Sequence, residues 1–64
     1  MTKEIYDTAT KYLSKIENLL INIERYELEI YGDGNTEYVR RIFRRYKKDA
    51  KKSIIYYENL FKKL

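Results

Sequence analysis

An all-α fold, an antiparallel two-helix hairpin that dimerises into a four-helix bundle, is predicted by three observations. Two long stretches carry apolar residues spaced alternately four and three positions apart, the heptad rhythm of helices that pack side by side. A single break, Gly32-Asp33-Gly34-Asn35, separates them. The chain has no Pro, and both of its Gly lie in that break, so nothing else interrupts either helix.

The first helix is expected over about residues 3–31. Thr2 suits its N-cap, and Glu4 and Asp7 lie near its start, where the helix dipole favours anions. Its seam is Ile5, Ala9, Tyr12, Ile16, Leu19, Ile23, Tyr26 and Ile30. This helix has more apolar surface than one seam uses: Tyr6, Leu13 and Leu20 flank the seam, and Ile21 and Leu28 sit nearly behind it. A lone hairpin leaves that surface wet. Leu13, Leu20, Ile21 and Leu28 are therefore assigned to the interface with another subunit or partner.

The break reads as a turn over residues 32–35, with Gly32 in the left-handed position that ends the first helix and Asn35 or Thr36 as the next N-cap. So short a connection makes the two helices antiparallel neighbours. A calcium loop is excluded, because YGDGNTEYVRRI lacks the alternating acids and final Glu of an EF-hand. The second helix is expected over about residues 36–63, with a seam of Val39, Phe43, Tyr46, Ala50, Ser53, Tyr57, Leu60 and Leu64 widened by Ile42, Ile54 and Phe61. The whole reads as one domain, residues 1–64.

At 64 residues a single core is marginal, and the usual reinforcements are missing: there is no Cys and no His, hence no disulfide and no ordinary zinc site. A homodimer is the remaining route to stability. No apolar run reaches membrane-span length, and the N-terminus lacks the order of a signal peptide. A cytoplasmic protein is expected, in the host cytoplasm if the source is a virus or phage. Ile, Lys, Tyr, Asn, Phe and Met make up half of the residues. Their codons are AT-rich, which fits a phage, viral, plasmid or low-GC bacterial origin.

Catalysis is not expected. The chain offers no His or Cys, and its two Ser lie at or beside the seams. Glu24 and Glu27 share a helix face, but the Glu-x-x-His motif of a bundle di-metal centre is absent, so neither a metal nor a cofactor is assigned.

Charge is the one functional signal. Residues 1–32 carry net −2 and residues 33–64 net +6. Within positions 40–52, eight bases (Arg40, Arg41, Arg44, Arg45, Lys47, Lys48, Lys51 and Lys52) stand against one acid, Asp49. At about 100° per residue all eight fall in one arc of roughly 160°, opposite the seam. Like charges at i, i+4 disfavour the helix by roughly 0.2–0.5 kcal/mol per pair, so something should offset them. One answer is the phosphate backbone of DNA or RNA, with Tyr38 and Tyr56 at the border of the arc as stacking residues.

The other answer is internal. A turn centred near residue 33 or 34 pairs positions whose indices sum to about 67, which sets residues 40–52 beside 27–15. Glu17, Glu24 and Glu27 then balance part of the charge, and Glu37–Arg41 and Arg45–Asp49 add local pairs. Three acids leave a cationic surplus.

Two functions follow. The first is a small non-enzymatic nucleic-acid-binding or regulatory accessory protein that uses the basic arc on phosphates. The alternative is a helical-bundle adaptor or structural protein that recruits another protein, an acidic one if through the arc and otherwise through Ile21 and Leu28. A membrane surface suits the second helix only with its seam free, which a stable bundle excludes. The size and hairpin pattern are similar to those of small phage and viral proteins and of the short helical-hairpin regulators of sporulation. The Ser-Gln-Glu-Leu-Asp motif of those regulators does not occur here, so no residue role carries over.

Overall fold

A computed structural model describes residues 2–64 and consists of two antiparallel helices, α1 (Lys3–Tyr31) and α2 (Glu37–Lys62), packed along their length. Each begins on a threonine. The Thr2 hydroxyl accepts from the Ile5 N–H at 3.2 Å, and the Thr36 hydroxyl accepts from the Val39 N–H at 3.3 Å, each satisfying one of the donors a helix start leaves free. Glu4 and Glu37 occupy the first turns, and Lys62 the last turn of α2, all favourable to the helix dipole.

The turn departs from the expected geometry. Gly32 is extended (φ −77°, ψ 159°) rather than left-handed, and Gly34 takes the positive φ, 101°. The Gly32 N–H still donates to the Leu28 carbonyl at 2.9 Å, so α1 closes in helical fashion before the chain leaves it. A Cβ on Gly32 would overlap the Leu28 carbonyl oxygen, so this glycine is needed for close approach, and the reversal itself falls to Gly34. Asn35 does not cap α2. Its side-chain amide donates to the Glu29 carbonyl at 2.9 Å and to the Glu29 carboxylate at 2.6 Å, tying the loop back onto α1.

Ile23, Ala50 and Ile54 form the centre of the core, with Ile16, Leu19 and Tyr26 packed against them, and Ile30 is buried nearer the turn. On α1 the expected seam is the buried or half-buried face throughout. On α2 the contact line is rotated slightly from the expected seam: Ile54 is in the core, whereas Tyr46 is 49% exposed. A tyrosine at the seam's edge keeps its hydroxyl in water by turning outward, and the aliphatic neighbour takes the interior. Tyr46 still contributes its ring to a cluster with Tyr26 and Phe43, centroids 5.8–5.9 Å apart.

The pair forms a single layer. It measures 50 × 14 × 10 Å, with a radius of gyration of 15.1 Å, against about 11 Å for a globule of this length. Its accessible surface is 5378 Å², whereas a compact monomer of 7.9 kDa exposes about 4,400 Å². Roughly 1,000 Å² more surface is therefore wet than a globule of this mass leaves open. No helix is long and apolar enough to cross a membrane among the described residues.

Candidate nucleic-acid interface

The basic stretch lies wholly on α2, but its eight cations do not share one fate. Three are engaged within the chain. Arg40 is turned toward the loop, where one guanidinium nitrogen donates to the Gly32 carbonyl at 3.2 Å while its Nε is buried without an acceptor. Arg44 pairs with Glu37 at 2.7 Å. Lys47 crosses to α1, its ammonium 3.5 Å from the Glu27 carboxylate and 5.6 Å from the centre of the Tyr31 ring, and its side chain is only 19% exposed. Arg40 and Lys47 thus depart from the expected outward arc. Both sit at its edge next to the seam, and long side chains there reach over the apolar contact to the opposing helix.

The register of these pairs also differs from the expected one. Glu27, expected opposite residue 40, meets Lys47, two turns further along α2; Tyr12 meets Tyr57, with centroids 6.1 Å apart. Side chains on a helix lean toward its N-terminus. In an antiparallel pair both partners then lean so that long side chains meet at residues numbered higher than the backbone levels they cover. The local pairs shift as well: Glu37 takes Arg44 rather than Arg41, and Arg45 and Asp49 form no ion pair. The Glu37 carboxyl is held below the ordinary carboxylate range, first by the hydrogen bond from Arg44 and then by that residue's charge, with Arg40 and Arg41 adding to the effect. Glu17 and Glu24, expected to balance part of the arc, form no ion pair among the described residues.

What remains is Arg41, Arg45, Lys48, Lys51 and Lys52, all exposed and none within ion-pairing distance of a carboxylate among the described residues. Arg41, Arg45 and Lys52 lie on the side of α2 turned away from α1, Lys48 and Lys51 reach the edge beside it, and the five span about 16 Å of helix. Tyr38 and Tyr56 are exposed along one border of this face, and Tyr56 packs edge-on against Tyr57 at 5.3 Å.

The other border was not marked in the sequence. There, an open hollow of about 240 Å³ is lined by Ile30 and Tyr31 of α1 and by Arg44, Lys47, Lys48 and Lys51 of α2. Tyr31 also lines a second, larger hollow of about 530 Å³ with Glu24, Glu27, Leu28 and Gly32. Tyr31 falls outside the heptad seam and ends α1. Its place beside the cations comes from the hairpin's closure, which only the three-dimensional arrangement shows.

On α1, Leu13, Leu20, Ile21 and Leu28 are exposed, as is Tyr6. Leu28 is set apart from the other three in that it lines the larger hollow. No cluster of three or more His, Cys, Asp or Glu that would hold a metal ion occurs among the described residues. No protein-family model matches the chain, and no match is found among curated proteins or among solved structures.

Proposed function

We propose that this protein is a non-enzymatic nucleic-acid-binding accessory protein that holds phosphates on the outward face of α2. The observation that carries this reading is the set of five exposed cations left without an ion partner among the described residues after internal contacts have taken Arg40, Arg44 and Lys47. Charges of one sign at i, i+4 on one face repel each other, and a row of phosphates offsets that repulsion while releasing condensed counterions. Arg44, exposed and sharing its guanidinium with Glu37, is placed to join the row. Arg40 and Lys47 serve the hairpin instead.

The working form in this reading is a dimer built on the α1 stripe. Roughly 1,000 Å² of excess surface per chain is close to the ~800 Å² that each partner contributes to a standard interface. Two single-layer hairpins stacked through Tyr6, Leu13 and Leu20 make the two-layer arrangement that domains ordinarily need. With Leu13 on the two-fold axis, Tyr6 of one copy meets Leu20 of the other, and residues 27–31 lie beyond the start of the partner's α1 at Lys3. Both basic faces then remain outside.

The experiment is a binding titration at low salt with wild type and with Arg41→Glu plus Arg45→Glu. Loss of binding with helicity retained supports the reading. Undiminished binding by the double variant removes it. A second reading, an adaptor that binds a protein through α1, is favoured by the exposure of Ile21 and Leu28 on the side away from α2. It predicts that Ile21→Glu abolishes capture of a partner while the basic face is dispensable.

A further inference from the structure

Beyond a row of phosphate contacts, we infer that the two hollows meeting at Tyr31 form one site for an unpaired nucleotide of a single strand, its base lying against Tyr31 and Leu28 and its phosphates on Arg44, Lys48 and Lys51. The inference rests on the phosphate-binding reading above and narrows it from nucleic acid in general to single strands.

Four features point this way. Tyr31 is 74% exposed and Leu28 73%, so a ring and an aliphatic side chain stand together in water at the end of α1. That ring is not free to swing at no cost, because the Lys47 ammonium lies 5.6 Å from its centre and is itself held by Glu27. Lys47 lines only the smaller hollow, which leaves the larger one, about 530 Å³, to receive a base against Tyr31 and Leu28. An aromatic side chain beside a cationic track is the usual construction of single-strand sites, since every base offers a π face.

The division of charge across Tyr31 sets the direction in which a nucleotide enters. Arg44, Lys47, Lys48 and Lys51 line the smaller hollow and attract phosphate. Glu24 and Glu27 line the larger one and repel it. A carboxylate there accepts from the exocyclic amino group of cytosine, adenine or guanine, whereas thymine presents no amino group. Bases inside a duplex cannot reach Tyr31 without unpairing, so a duplex gains only the phosphate contacts. In the antiparallel dimer this end of α1 lies beyond the start of the partner's α1, so the site and the proposed helix-on-helix contact are compatible.

The test is fluorescence anisotropy of a short labelled oligodeoxycytidylate, an oligothymidylate and a duplex of the same length, at one low salt concentration. Wild type is expected to prefer the single strand over the duplex by about tenfold, the scale of one stacked base. Tyr31→Ala should remove that preference and Tyr31→Phe should keep it; Glu24→Gln should reduce the advantage of deoxycytidylate over thymidylate. Equal wild-type affinity for single strand and duplex overturns the inference, as does a Tyr31→Ala variant that keeps the preference. If Arg41→Glu plus Arg45→Glu still abolishes binding in that case, the phosphate reading stands without the nucleotide site. If wild type binds none of the three, both fall.

Discussion

The half of the hairpin next to the turn and the half at its open end are built differently. Near the turn, Asn35 bonds back to Glu29, Arg40 reaches the Gly32 carbonyl, Glu27 meets Lys47, and Tyr26, Phe43 and Tyr46 form one aromatic cluster. Ile30 is buried to 4% exposure. Toward the open end, α1 has no buried residue before Ile23 and α2 none after Ile54 among the described residues, and the cross-helix ring contact there is Tyr12 with Tyr57. The exposed stripe of Tyr6, Leu13 and Leu20 belongs to that looser half. Polar ties near the turn hold the cationic hollow on a stitched frame. At the open end, among the described residues, no hydrogen bond or ion pair crosses between the helices and only the Lys15 ammonium lies over the Tyr57 ring, 5.9 Å from its centre; in our reading a second copy supplies what is missing.

The largest test of this contrast is Leu13→Glu plus Leu20→Glu. If the open half depends on a partner subunit, this variant sediments as a monomer, and its melting becomes broad and independent of protein concentration while wild type melts at a temperature that rises with concentration. Next comes Ile54→Ala in the shared core, expected to cost about 2–4 kcal/mol by denaturant titration, a large share of the stability of so small a fold. A loss under 1 kcal/mol would show that the core is not centred on Ile23, Ala50 and Ile54.

Smaller effects probe the stitched half. Gly32→Ala places a Cβ against the Leu28 carbonyl oxygen, which should cost about 1 kcal/mol or more, whereas the same change in an open loop position is neutral or mildly stabilising. The smallest effect concerns Glu37. Its carboxyl titrates below the ordinary range because Arg44 bonds the charged form, so the associated stability is present above the unfolded-state value, about 4.3, and is lost as pH falls through the lower folded-state value. Glu37→Gln should remove that acid-range sensitivity and leave stability at neutral pH little changed, as expected of an exposed pair.

Much of the fold was legible in the residues themselves. The four-three spacing from Ile5 to Ile30 and from Val39 to Leu64 specified two helices and the face α1 presents, while on α2 Tyr46 and Leu64 are exposed and Ile54 takes the interior; the only glycines marked the turn. Three things were not legible. Which glycine turns left-handed was not legible, since the break offers two and residue type alone does not choose between Gly32 and Gly34. Which cations remain free depended on how far Arg40 and Lys47 reach across the seam, and helix spacing alone treats all eight alike. Tyr31 gained its place only when the turn folded α2 back beside the end of α1.

The central claim is that Arg41, Arg45, Lys48, Lys51 and Lys52 are free to take phosphates, and the salt dependence of binding tests it most directly. The five contacts predict that the logarithm of the binding constant for a single strand falls against the logarithm of salt concentration with a slope of about −3.5, steepened to about −4.2 where Arg44 joins them, and that neutralising two of the five makes the slope shallower by about 1.4. A slope near zero, or one unchanged in Arg41→Gln plus Arg45→Gln, would contradict the account.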